Sequence, residues 1–184
     1  MNVRPALLFA ALLSIGACSG PDAAEAVESA QAALDEGETT RALELTAAAL
    51  PAVREVQDGL MIWRLETIAM QALAEEGRAE EAIATLGRLA EPFPNRVTAP
   101  FYARLANRAA KGGELIAAIE IADAGLKRFP DRKTDFEGVI ADIKRRAVGD
   151  NPAMERLYAM GYMSKPAEAD SPDSAQVPLT NESR

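Results

Sequence analysis

The side chains able to do chemistry are few. The chain has 184 residues, no His and a single Cys, Cys18. Without His there is no Ser-His-Asp triad, no Cys-His pair and no His-Glu-x-x-His zinc motif. The glycine patterns of a nucleophile elbow, a dinucleotide fold and a P-loop are missing as well. Paired carboxylates flank Gly77, with Glu75 and Glu76 before it and Glu80 and Glu81 after. Two carboxylates can share glycoside hydrolysis, but one of them must be buried so that its pKa rises. A charged turn offers no such burial, so the four read as a solvated rim. The expectation is no catalytic residue, no metal and no cofactor: a non-enzymatic protein that works by binding.

The elements that would present a binding surface are helical. From Leu65 to Pro94 apolar residues recur at spacings of three and four: Leu65, Ile68, Ala69, Ala72 and Leu73, then Ala79, Ala82, Ile83, Leu86 and Leu89. Each set lies on one face of a helix. Gly77 separates them and suits a left-handed C-cap; Pro92 and Pro94 stop the second helix for want of an N–H. The short turn forces an antiparallel return. The plan recurs. Gly37 is followed five residues later by Ala42, Gly77 by Ala82 and Gly113 by Ala118, and the copies end at Leu50-Pro51, Pro92-Phe93-Pro94 and Phe129-Pro130. A methyl at the fifth position lets two backbones approach closely where they cross.

Gly77, Ala82 and Pro94, and likewise Gly113, Ala118 and Pro130, resemble the pattern of the tetratricopeptide-repeat (TPR) family: a turn Gly, an Ala five residues on and a Pro after the second helix. The Gly-to-Gly steps exceed the family's usual spacing near 34, and its Trp and Tyr positions are mostly Ala, Leu or Met here. The expected fold is all-α, about three TPR-like antiparallel hairpins stacked as a short solenoid plus a capping helix. The resemblance implies a concave groove lined by the first helix of each hairpin. Its positions are Gln31 and Asp35 in the first copy; Arg64, Thr67, Gln71 and Glu75 in the second; and Ala103, Asn107 and Lys111 in the third. The polar side chains among them suit a peptide backbone or an acidic side chain. The family's dicarboxylate clamp is not reproduced.

The individual helices can be bounded. The first should run from Ala23 to Asp35, its partner from an N-cap at Thr39 or Thr40 to Leu50. Asp58 should cap the helix carrying Leu60 to Glu76, whose Trp63 should pack between hairpins. Thr98 should cap a helix ending at Gly112-Gly113, and Glu114 to Phe129 should return from it. Asp131 or Thr134 should open the capping helix, with no further Gly-centred hairpin after it. Lys144, Arg145 and Arg146 complement that helix's C-terminal dipole. A short amphipathic stretch over 151–163 should fold onto the cap, and the Pro-rich polar segment 164–184 should be disordered.

The amino terminus gives an address. Arg4 precedes an apolar run of about ten residues, too short for a stop-transfer span. Ile15-Gly16-Ala17-Cys18 resembles the box of bacterial lipoproteins, in which the signal is cut before Cys, the sulfur receives a diacylglycerol and the new amino group is acylated, typically with palmitate. This implies a signal peptide over 1–17, lipidated Cys18 with a tether to residue 22, and a helical domain over 23–163. Each buried CH₂ contributes about 0.8 kcal/mol, and more than one chain is needed for stable anchoring. In Gram-negative lipoproteins an Asp after the Cys favours inner-membrane retention. Ser19 stands there instead, which implies the outer membrane, with the domain facing the periplasm.

Charge and composition exclude other classes. The formal charge of −8 argues against duplex binding, and 5% aromatic residues against a stacking platform for single strands. Residues 19–91 hold 15 acids and 5 bases, whereas 92–163 hold 12 bases and 9 acids. That polarity reads as two solvated faces, or as steering of a partner or of a second copy. The expected partner is an envelope protein or peptide, with membrane contact through the lipid. The expected role is that of an adaptor or assembly factor. The alternatives are a permanent structural subunit of an envelope complex and an accessory that positions a cell-wall enzyme.

Overall fold

A computed structural model describes residues 22–165. Cys18, the segment before it and the tail after residue 165 lie outside the described residues. Within them the chain is all-α, without a strand: α1 (Ala23–Asp35), α2 (Thr39–Glu55), α3 (Gly59–Glu75), α4 (Ala79–Leu89), α5 (Ala99–Gly112), α6 (Leu115–Arg128), a 3₁₀ turn (Pro130–Arg132), α7 (Thr134–Arg146) and α8 (Asn151–Ala159).

The reversals at Gly37, Gly77 and Gly113 are built alike. Each Gly has positive φ, at 80°, 74° and 95°. The amide after each Gly reaches back across the turn: Glu38 N–H to the Ala33 carbonyl at 2.8 Å, Arg78 to Leu73 and Glu114 to Ala109, both at 2.9 Å. The Gly amides bond Leu34, Ala74 and Ala110. This is the Schellman pair of bonds, which closes the orphan carbonyls of the ending helix. The carbonyl of the same post-Gly residue then accepts the first bond of the next helix, from Ala42, Ala82 and Ala118. Those three alanines are fully buried. One residue thus closes one helix and opens the next, leaving no slack. The α2–α3 turn uses the same bonds around Gln57, at φ 56° and without a Gly.

The helices pack in register with this plan. α1, α3, α5 and α7 touch in succession, and α6 packs on α4, α5, α7 and α8. The main core runs through α3 to α8, with Leu86, Ile119, Ile121, Phe136, Ile143 and Leu157 all but fully buried. α1 and α2 join α3 through two smaller clusters, one around Leu34, Ala42 and Ile68 and one around Leu50, Val53 and Leu65. At Gly125 in α6 a Cβ would lie 2.5 Å from the Phe136 ring and 2.8 Å from Tyr102 Cβ. Three helices meet at that point.

Several sequence expectations need correction. α2 does not stop at Leu50-Pro51 but continues through Pro51 to Glu55. Pro51 and Ala47, the residue whose carbonyl loses its helical donor, are both exposed. The cost, about 3 kcal/mol in a helix interior, is offset by burying Val53 and by the Arg54–Glu66 ion pair at 2.5 Å. Thr39 and Thr40 are not N-caps. Glu38 holds that position, and both hydroxyls donate to Glu76 Oε1, at 3.0 and 2.9 Å. Thr98 is an N-cap without a side-chain bond, whereas Asp58 accepts from the Leu60 and Met61 amides. A fourth Gly with positive φ, Gly149, separates α7 from α8. α8 packs on α6 rather than on α7, held by Arg156 to Glu120 at 2.7 Å and by the Tyr162 hydroxyl to Asp123 at 3.1 Å. Burial raises the Tyr162 pKa, and the neighbouring Asp123 carboxylate raises it further.

The acidic rim around Gly77 is organised rather than merely solvated. Glu75 pairs with Arg108, and Glu76 and Glu81 share Arg78. Burial works to raise the Glu76 carboxyl, but hydrogen bonds from Arg78, Thr40 and Thr39 hold it below the usual range. The Gly77 turn lies against Glu114 of the following turn.

Candidate functional site

Because α1, α3, α5 and α7 touch in succession, each neighbouring pair leaves a furrow between side-chain ridges. Three hollows follow. The first, of about 510 Å³, lies between α1 and α3 and is lined by Val27, Glu28, Gln31, Ala32, Asp35, Trp63, Arg64, Thr67 and Ile68. The second, of about 700 Å³, lies between α3 and α5 at the end of α1. Its walls include Asp35, Gln71, Glu75, Phe101, Arg104, Asn107, Arg108 and Lys111. The third, of about 260 Å³, lies between α5 and α7 and is lined by Ala103, Arg104, Asn107, Gly138 and Val139. Asp35 belongs to the first two, and Arg104 and Asn107 to the last two, so neighbouring hollows share wall residues.

Every groove position expected from the sequence lines one of these hollows. Gln31, Arg64 and Thr67 line the first, Gln71, Glu75 and Lys111 the second, and Ala103 the third. Their availability differs. Glu75 is held by Arg108 Nε, and Gln71 accepts from Arg108 at 3.1 Å, so one guanidinium ties α3 to α5 and occupies both acceptors. Gln31 donates to Asp35 at 2.8 Å along α1. Thr67 Oγ1 is shut off from solvent without a hydrogen-bond partner in the protein. Arg64, Arg104 and Lys111 are exposed and enter no ion pair among the described residues.

Arg104, Arg108 and Phe101 are site residues that sequence reasoning missed. Arg104, Arg108 and Lys111 follow one another at four and three residues, a helical stripe visible in the sequence. Which stripe faces α3 is fixed only by the packing of Leu105, Ala106 and Ala109.

An aromatic group braces the floor. Trp63 is buried, with the rings of Phe93 and Phe101 at 5.5 and 5.4 Å and Arg96 stacked over it at 5.5 Å. Arg104 lies over Phe101 at 5.6 Å, which lends it cation–π support without consuming its hydrogen bonds. The arrangement offers apolar floor and unpaired cations, and nothing resembling an acid–base pair. Among the described residues no group of His, Cys, Asp and Glu could hold a metal ion, and no helix is long and apolar enough to cross a membrane. Comparison with protein-family models, curated proteins and solved structures finds no match.

Proposed function

We propose that the protein is a lipid-anchored, periplasm-facing adaptor of TPR-like build, which receives an extended segment of an envelope protein in the groove of α1, α3 and α5. The observation that supports the reading is that positions on three separate helices, each chosen from its place in a hairpin, line neighbouring hollows that share wall residues. The shared turn construction and the succession of odd-numbered helices support the TPR-like stack. The box ending at Cys18 supports the anchor. A permanent-subunit role using the 151–163 stretch has less support, because Ala153 and Leu157 are already buried.

A photocrosslinking residue at Asn107 of the full chain in intact cells tests the groove. A defined envelope protein should be captured, and Arg64→Glu with Lys111→Glu should cut the yield at least tenfold. Equal capture by the charge-reversed chain would reject the groove. Cys18→Ser tests the anchor independently: the variant should become soluble or stay unprocessed, and continued membrane partition of a processed protein would defeat the anchor.

A further inference from the structure

We infer that the molecule stands end-on at the lipid bilayer, with the α2–α3 turn and the 90–98 connection against the headgroups and the exposed Val56 and Leu60 entering them. This rests on the anchor reading above and adds which face meets the lipid.

The helices alternate in direction, so the fold has two ends. At one, Thr39 and Thr40 reach Glu76, and the Gly77 turn lies against Glu114. At the other, Ala23 packs on the cluster of Leu50, Val53 and Leu65. A Cβ at Gly59 would lie 3.6 Å from the Phe93 ring there, and the Tyr102 and Phe129 rings meet at 5.9 Å. α1 therefore begins at the end that carries the 56–58, 90–98 and 129–133 connections. α8 leads to the same end: Arg156 bonds Glu120 and Tyr162 bonds Asp123, so it runs alongside α6. Cys18 precedes Asp22 by four residues, and four residues span at most about 14 Å. A lipid on that sulfur holds this end beside the bilayer.

The tether alone leaves two poses, end-on or lying on the flank of the first hairpin. Charge separates them. α1 contains no Lys or Arg, and Arg41 and Arg54, the bases of α2, already pair with Glu38 and Glu66. Glu25, Glu28, Asp35 and Glu44 are exposed on that hairpin. Anionic headgroups repel such a flank. The connections at the anchored end (residue 22, 56–58, 90–98, 129–133 and 160–165) hold four acids and four bases, whereas those at the far end (36–38, 76–78, 113–114 and 147–150) hold five acids and one base. The end of α7 adds Lys144, Arg145 and Arg146 to the far side, but Asp142 pairs with both arginines. Val56 is 73% exposed and Leu60 45%, on either side of the α2–α3 turn. Entry into the headgroup layer removes their apolar area from water. Asp58 between them is engaged by the Leu60 and Met61 amides. In this pose Trp63 to Ile68 of the first hollow lie nearer the bilayer than Gln71 and Glu75 of the second, by about two helical turns or ~11 Å.

The full chain, purified from the membrane fraction, is reconstituted in vesicles of phosphatidylethanolamine and phosphatidylglycerol that contain a radiolabelled phospholipid. A photocrosslinking residue is placed in turn at Val56, Leu60, Glu28, Ile116 and Val148. Ile116 and Val148 are exposed apolar side chains of the far end and serve as controls. Label should pass to the Val56 and Leu60 positions at least tenfold more than to the other three. Val56→Glu with Leu60→Glu should cut transfer to a crosslinker at Pro94 at least fivefold without lowering the melting point, since both side chains are exposed. Transfer at Glu28, Ile116 or Val148 equal to that at Val56, no transfer at Val56 and Leu60, or undiminished transfer at Pro94 would overturn the inference. If that happens while membrane partition still requires Cys18, the pose is wrong and the anchor stands. A processed Cys18→Ser chain that stays on the membrane defeats the anchor and the pose with it.

Discussion

Gln57 and Gly125 show what single residues decide in this fold. Gln57 holds a left-handed conformation at φ 56° in a turn otherwise built like those at Gly37, Gly77 and Gly113. An L side chain there costs about 1–2 kcal/mol, part of which Gly returns through its greater unfolded-state entropy. Gln57→Gly should therefore raise stability by about 0.5–1 kcal/mol, read as a higher denaturant midpoint with an unchanged slope. Gly125→Ala should act oppositely. Its methyl would collide with Phe136 and Tyr102, which are both buried, and overpacking of that kind costs about 1–3 kcal/mol. A melting point equal to the parent's would mean the three-helix junction yields freely. The three turn glycines were legible in the sequence because a left-handed cap favours Gly so strongly. The Gln57 turn was not, since nothing in the residue type announces it. Gly125 was hidden for another reason: its need for no side chain comes from α5 and α7, which a reading of α6 alone does not include.

At the scale of elements, polar ties decide how the first hairpin attaches. Thr39 and Thr40 on α2 both donate to Glu76 at the end of α3, whose carboxylate also takes Arg78 at 3.1 Å. Those bonds keep the Glu76 pKa below its ordinary value near 4.5. A carboxylate with a depressed native pKa adds stability above its unfolded pKa, and that stability is lost as pH falls through the native one. Glu76→Gln should thus cost about 1 kcal/mol at neutral pH. The gap to the parent should close as pH drops below about 4; a pH-independent gap would assign the effect to packing instead. The sequence reading failed at α2 for a related reason. It treated Pro51 as a stop and the two threonines as caps, which are sound local rules. Burial of Val53, the Arg54–Glu66 pair and the reach of both threonines to Glu76 are long-range, and they override those rules. Which residues line the hollows could be traced in outline, because helix period and turn position fix which residues share a face. The Glu75–Arg108 tie was not, because it depends on where α3 and α5 cross.

For the whole molecule, the core is unevenly distributed. The three buried polar residues among those described, Thr46, Glu66 and Thr85, all line a hollow of about 370 Å³ between α2 and α4. The first hairpin is joined to α3 by two small apolar clusters and a few hydrogen bonds, while α3 to α8 share one large core. Native-state hydrogen exchange should show α1 and α2 opening together, with protection about a hundredfold below that of α5 and α6. Uniform protection would show that the hairpin is fully integrated. The double duty of the post-Gly residues bears on how the chain tolerates change in length. A residue inserted beside Gly37, Gly77 or Gly113 would advance the next helix by about 100° and swing its buried stripe toward water. In the longer connection from 90 to 98 the Phe93 carbonyl accepts from the Arg96 and Val97 amides across the exposed Pro94-Asn95 step, but no residue there both closes one helix and opens the next. Added length, a tag or a foreign loop should be accommodated there and rejected at the three reversals, which makes that step the natural splice point of the molecule.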